Sequence, residues 1–270
     1  MAISRIFLQS PITGGLGNQL FQINLLVQLA MQFGLTPVFP KSQISSLCVD
    51  FKKTLHIPKL RQKLFLSQEI LREESLTEIG KLIDDSAQNR QDILVAKSVL
   101  GEVLHKFYFK NPKEIFEPAK QFCHYAYQNF SECVALHFRG SDFLNWDSTA
   151  IMNLDYYDRA INSSSLIHGR EGHLFTDDPS HEVVRTLLKK FKNIKLKSSG
   201  NQFDDFWRIS NYSEVIATPS TFVLWAAMLG KSCKILIDRH WIENRLTRGE
   251  EFWITVAENR KGIFGEVLLV

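Results

Sequence analysis

At 270 residues, with 44% hydrophobic and 23% charged residues, the chain has the makeup of an ordinary folded protein of one large or two small domains. Its net charge of +3 is too small to argue for nucleic acid. No apolar run approaches the roughly 20 residues of a membrane span, the longest being Thr221 to Leu229.

The N-terminal stretch carries one Arg and a short apolar run without the apolar core and cleavage site of a secretory leader, so cytoplasmic residence is expected. Cys48, Cys123, Cys133 and Cys233 are scattered and form no CxxC pair. The histidines form neither HExxH nor a close pair, so nothing in the spacing asks for a metal, and none is expected. Twenty Phe and five Trp fit a large core, with any exposed ones suited to stacking on sugars.

In chain order, "SRIFLQS" reads as a strand, followed by a glycine turn and a helix over "NQLFQINLLVQLAMQFG". That helix has Leu20, Phe21, Leu25, Val27, Leu29 and Phe33 on its apolar side. Gln22, Asn24, Gln28 and Gln32 are left for water, and Gly34 is the stop. "TPVFP" is the next strand, which completes a βαβ unit and implies a parallel sheet. From Lys41 to Ala126 the pattern weakens to short helices and loops. A second α/β unit begins with the strand Glu132 to Phe138. The helix "DYYDRAINSS", the strand "GHLFTDD" and the helix "PSHEVVRTLLKKF" follow it. After these come the strand "NIKLKS", the helix "FDDFWRISNY" and the strand "EVIATPS". A buried helix "TFVLWAAMLG" and the strand "CKILID" complete the series. A boundary between residues 126 and 131 divides the chain into domains 1–130 and 131–270.

Four stretches carry chemistry. Gly15-Leu16-Gly17-Asn18 joins a strand to a helix, as in nucleotide-binding units. It lacks both the third glycine of the dinucleotide fingerprint and the Lys-Ser/Thr of a P-loop. It reads equally as a plain tight turn or a ligand loop. Asn18 stands at the N-cap position, where its amide serves either the helix or a ligand. In "ALHFRGSDF", His137 and Arg139 share one strand face at the C-terminal end, where open α/β sheets bind ligands. Arg139 offers a fork for phosphate, Gly140 permits close approach, and Asp142 is placed to orient Arg139. The alternative is a surface Arg-Asp pair beside a core histidine.

In "FTDDPSHEVV", Asp178 and Pro179 read as helix cap and first turn, which frees Asp177 to accept from a base or ribose. Ser220 and Thr221 open the apolar helix. Two hydroxyls and the positive helix end make a diphosphate seat there, or Ser220 is an ordinary cap. The basic run "RTLLKKFKNIKLKS" reads as a solvated outer face, with contact to an anionic membrane as the alternative.

"GGLGNQLFQ", "VALHFRGSDF", "LFTDDPS" and "SEVIATPSTFVLWAAML", in this order, resemble the motif series of the GDP-fucose-dependent fucosyltransferases. They are most similar to the bacterial α-1,2-fucosyltransferases of glycosyltransferase family 11. That family's usual forms read GGLGNQMFQ, HxRRGDY, FSDD and SSFSWWxAWL. "VLHKFYFKNPKEIF" and "DYYDRAI" are similar to the intervening segments.

The resemblance implies a GT-B-type α/β fold, two Rossmann-like domains facing a central cleft, with the C-terminal one holding the GDP-sugar. It implies inverting, metal-independent transfer of fucose from GDP-fucose to a glycan hydroxyl, α-1,2 to galactose in the nearest family. No cofactor, metal or nucleic acid is called for. The acceptor is an oligosaccharide, lipid-linked in one version, with at most peripheral contact at the inner membrane face.

Carried over, Arg139 binds the diphosphate and Asp177 the nucleoside end. Ser220, Thr221 and Phe222 hold phosphate and guanosine, while Gly15, Gly17 and Asn18 approach the donor from the other domain. His137 and Asp142 complete the donor set. Asp147 has a spacing similar to that of the catalytic carboxylate of α-1,6-fucosyltransferases, with a solvated loop acid as the alternative reading, and His137 is the second candidate base. Gly140 replaces the family's second Arg, so "HFRGSDF" is closer to the looser H-x-R-x-x-D of α-1,6 and O-fucosyltransferases, and only Trp225 remains of the tryptophan-rich segment; transfer with an α-1,6 or O-linked outcome is the alternative. A nicotinamide oxidoreductase is opposed by the missing glycine, and a non-catalytic nucleotide- or glycan-binding protein is the other alternative.

Overall fold

The computed structural model describes residues 7–9, 14–32, 36–38, 93–95, 130–141, 143–230, 234–248, 251–259 and 264–270. Asp142, Cys48, Cys123, Cys233, Gly34 and most of the stretch from Lys41 to Ala126 lie outside them. The chain divides into two compact units, residues 1–119 and 120–270.

In the first unit, β1 (Phe7–Gln9), α1 (Leu16–Gln32) and β2 (Thr36–Val38) form the anticipated βαβ unit, and β3 (Ile93–Val95) joins it. The sheet order is β2-β1-β3, with Phe7 parallel to both Thr36 and Ile93. Gly14, at φ +81°, is the glycine the turn needs, because a Cβ there would lie 3.0 Å from the Asn18 side chain.

Two expectations are corrected here. The helix starts at Leu16, and the Gln19 N–H donates to Gly15 O at 3.0 Å, so Gly15 holds the cap position and Asn18 lies inside the first turn. Gln22 and Asn24 are fully buried instead of facing water. Amide side chains lock this turn internally: Gln19 Nε2 donates to Gly14 O at 2.7 Å and Gln22 Nε2 to Asn18 O at 2.9 Å.

The second unit alternates strands and helices. It runs β4 (Cys133–Phe138), α2 (Phe143–Trp146), α3 (Leu154–Asn162), β5 (Glu171–Thr176), α4 (Glu182–Lys190) and β6 (Ile194–Leu196). It continues with α5 (Gln202–Ile209), β7 (Glu214–Ile216), α6 (Thr221–Leu229) and β8 (Lys234–Ile237). Two helices, α7 (Arg239–Thr247) and α8 (Glu251–Ala257), and a last strand β9 (Glu266–Leu269) complete it.

The six strands are parallel in the order β6-β5-β4-β7-β8-β9. Numbered from β4 as 1, this is the doubly wound order 3-2-1-4-5-6, whose direction of winding reverses between β4 and β7. In β4 only the first residue escapes burial, the pattern of a central parallel strand covered on both faces. The α6 helix is apolar all round and buried from Phe222 to Leu229. Gly230 ends it where a Cβ would sit 2.3 Å from the Ser210 carbonyl at the end of α5, so the two helix ends meet without a side chain between them.

Tyrosines pin α3 to the sheet. Tyr156 donates to the carbonyls of Ala217 (2.6 Å) and Leu236 (3.1 Å), and Tyr157 donates to that of His137 (2.7 Å). The α4 helix starts at Glu182 under a His181 cap, later than the Asp178-Pro179 start read from the sequence. Asp178 instead closes a local turn, accepting from Ser180 N (3.1 Å) and Oγ (2.7 Å). The basic run spans α4 and the edge strand β6, with Lys190 donating to Asp158 and Lys195 to Glu171, each at 2.6 Å. Among the described residues no helix is long and apolar enough to cross a membrane.

Candidate functional site

A cleft of about 530 Å³ opens at the C-terminal edge of the six-stranded sheet. His137, Arg139 and Ser141 line it from β4 and its exit, and Phe175, Thr176, Asp177 and Pro179 from β5. Leu196, Ser198, Gly200, Gln202 and Asp205 enter from β6 and α5, and Phe222 from the start of α6. This is the edge, beside the reversal in strand order, where doubly wound sheets bind ligands.

Strand register explains the composition. Phe138 pairs with Thr176, so one step further Arg139 and Asp177 are neighbours, and two residues back on the same face His137 pairs with Phe175. Asp177 Oδ1 accepts from Gly140 N at 2.9 Å, and Oδ2 accepts from Ser141 Oγ at 2.6 Å. The same carboxylate lies 3.3 Å from Arg139 Nε. Asp177 therefore fixes the guanidinium and its loop at once. Asp142, to which the sequence reading also gives an orienting task, lies outside the described residues.

His137 is buried, its Nδ1 hydrogen-bonded to Thr218 Oγ1 at 2.6 Å and its ring stacked 5.5 Å from Phe222. The Thr218 bond crosses from β4 to the exit of β7, bridging the reversal. Burial, reinforced by the Arg139 charge, drives the imidazole pKa down to about 3. At neutral pH it is an uncharged hydrogen-bonding ring.

Asp205 was not singled out in the sequence. Its carboxyl is buried, accepts from Ser199 N at 2.9 Å and lies 4.0 Å from Arg208 Nη1. Desolvation raises its pKa against the pull of the Ser199 hydrogen bonds and Arg208. The available signal was an acid within a stripe of core residues: Asp205 sits between buried Phe203 and Phe206 at the start of α5. Arg208 also lies 5.3 Å over the Phe175 ring, which lines the cleft.

Ser220 is the N-cap of α6, its Oγ accepting from Phe222 N at 3.3 Å, and Thr221 is the first helical residue. Of that trio Phe222 alone lines the cleft. Gly15, Gly17 and Asn18 belong to the first unit, with Gly17 and Asn18 in the first turn of α1.

Asp147 is not among the residues lining the cleft. It caps a short 3₁₀ turn, Oδ1 accepting from Thr149 N (3.0 Å) and Oγ1 (2.5 Å), while Oδ2 accepts from Arg245 Nη2. Burial works to raise its pKa, but the bonds from Thr149 and Arg245 outweigh it and hold the carboxyl below the usual range. A carboxylate stabilised in this way is a poor proton acceptor.

The cleft thus offers one fixed cation, a neutral imidazole, a buried carboxylate and two aromatic rings to a single ligand. Among the described residues no group of three or more His, Cys, Asp or Glu is arranged to hold a metal ion.

No protein-family model and no curated protein matches the chain. It is similar to several solved structures. One is POFUT1 in complex with GDP-fucose, at 13% identity and a TM-score of 0.48 over 83% of this chain and 93% of that one. Another is the fucosyltransferase NodZ from Bradyrhizobium, at 14% and 0.46 over 84% and 92%. A third is a variant of Arabidopsis thaliana FUT1 in complex with GDP, at 10% and 0.39 over 86% and 70%. Similarity at this level assigns no activity to this chain.

Proposed function

We propose that the protein is an inverting, metal-independent fucosyltransferase that moves fucose from GDP-fucose to a hydroxyl of a glycan, forming an α-1,2 link to galactose. The observation that carries this reading is the Arg139 side chain. It is fixed by Asp177 at the C-terminal edge of the sheet and opens into a cleft that His137, Asp205 and Phe222 also line. The four-motif resemblance supplies the substrate class, and three of those motifs contribute lining residues to this one cleft.

The chemistry of the parts fits the donor. Guanine presents N1–H and N2–H₂ side by side, two donors that a buried carboxylate such as Asp205 accepts together. His137 contributes a neutral ring stacked with Phe222, and Phe175 an apolar wall. Arg139 stabilises the diphosphate as the bond to the anomeric carbon breaks, and the N-terminal end of α6 adds a positive dipole. The acceptor oxygen attacks from the opposite side of the sugar and its proton leaves to solvent or a base. The nucleotide departs as GDP with the configuration inverted.

The test is to incubate the protein with GDP-fucose and galactose-terminated oligosaccharides in EDTA, following GDP release and the linkage of the product. A 2-O-fucosylated galactose is expected. A different linkage would refute the finer assignment, and GDP binding without transfer to any acceptor would favour a nucleotide-binding protein.

A further inference from the structure

The segment that leaves β4 carries Arg139 at one end and Asp147 at the other. From Asp147 the contacts lead away from the cleft to a residue 98 positions later. Arg245, on α7, is buried, with its guanidinium 4.6 Å over the Trp241 ring and Nη2 bonded to Asp147 Oδ2. Trp241 is itself held edge-on by Trp253 of α8 at 4.3 Å. Toward the cleft, Asp147 N donates to Phe143 O at 3.0 Å, closing the short helix α2. The Phe143 ring is buried, 5.8 Å from the Arg139 guanidinium.

We propose that Arg245 is a positioning residue for Arg139, acting through Asp147, the α2 turn and Phe143. This inference rests on the donor reading above. It gives Asp147 the role of a latch in place of that of a base.

Both partners of the pair are largely shielded, with side-chain exposures of 8% and 19%, so salt screens their attraction weakly. Both carboxylate oxygens are occupied, one by Thr149 and one by Arg245. Arg139 is thereby held from two sides: Asp177 fixes Nε from the sheet, and Phe143 supports the guanidinium from the latched turn. A guanidinium free to swing loses the orientation that makes its fork selective for a diphosphate. Since α7 continues directly from β8, the latch ties the arginine's position to the far half of the sheet.

The test measures GDP affinity by calorimetry and GDP-fucose turnover for Arg245→Met, Arg245→Lys, Asp147→Asn and the double variant Arg245→Met/Asp147→Asn. The expected result is GDP binding weakened about tenfold in Arg245→Met and in Asp147→Asn, no worse in the double variant, and largely restored in Arg245→Lys. Additive losses, or Arg245→Met binding GDP like the wild type, would overturn the latch. So would Asp147→Asn with unchanged GDP affinity and a collapsed turnover, which is the signature of a base. If Arg245→Met fails to fold, Asp147→Asn still decides between the two roles by whether affinity or turnover moves. A wild type that ignores GDP would overturn the donor reading as well, while a wild type that binds beside variants that bind equally would overturn the latch alone.

Discussion

Replacing Arg139 by Ala separates folding from ligand binding. Removing the guanidinium leaves the Asp177 carboxylate with its bonds from Gly140 N (2.9 Å) and Ser141 Oγ (2.6 Å), so that carboxylate keeps partners for both oxygens. The lost ion pair has side-chain exposures of 18% and 26%, and discounted for screening it contributes at most about 1 kcal/mol. The distant Phe143 contact adds about 0.5–1 kcal/mol. Folding stability should therefore fall by only about 1–2 kcal/mol, measured by urea unfolding. For GDP, each hydrogen bond to a charged phosphate oxygen contributes about 1.5–3 kcal/mol, and the fork makes two. Affinity should drop by at least about a hundredfold in calorimetry. Turnover at saturating donor should fall by about 10²–10³. An unchanged GDP affinity in a folded Arg139→Ala protein would refute the reasoning. A stability loss several times larger than stated would show the residue to be structural first.

Gly140 stands where the resembling family has a second Arg, and a Cβ there would lie 2.8 Å from the buried Phe138 ring and 3.3 Å from Asp178 Cβ. Gly140→Ala should therefore cost about 1–3 kcal/mol and weaken GDP binding, as read by unfolding and calorimetry; neutrality in both would contradict the close approach. Tyr156→Phe removes a buried hydroxyl that serves two carbonyls, Ala217 and Leu236, and should cost about 1–3 kcal/mol in urea unfolding. His137 has its pKa lowered from 6.5 to about 3, so below pH 6.5 the unfolded chain takes up a proton that the native state refuses. Stability should accordingly fall by up to about 1.4 kcal/mol per pH unit from pH 6.5 toward 3. His137→Gln should flatten that limb of the pH–stability curve, and an identical curve in the variant would count against a buried neutral ring.

Strong periodicity made most of the second unit legible. The apolar run Val134 to Phe138 and the amphipathic helices at Leu154–Asn162 and Glu182–Lys190 follow from their side chains alone. The strand-end pair His137 and Arg139 followed from the two-residue repeat of a strand. Errors arose where amides and turns compete with simple patterns. Gln22 and Asn24 read as wet because they are polar, yet they are buried in the first unit, where Gln22 bonds the Asn18 carbonyl. Asp178-Pro179 has the composition of a helix start but satisfies its own turn through Ser180. The partnership of Asp147 with Arg245 spans 98 residues, and the support of Arg139 by Asp177 depends on strand register; neither leaves a local signal. Asp205 is masked in the sequence by its aromatic neighbours Phe203, Phe206 and Trp207, which read simply as core.

Thermal unfolding in EDTA against GDP, GDP-fucose, UDP, CDP and NADH tests the donor assignment most directly. GDP or GDP-fucose at a hundred times its dissociation constant should add about 2.7 kcal/mol of stability, with UDP, CDP and NADH silent. Stabilisation by UDP or NADH in place of the guanine nucleotides, or by none of the five, would contradict the assignment of this cleft to GDP-fucose.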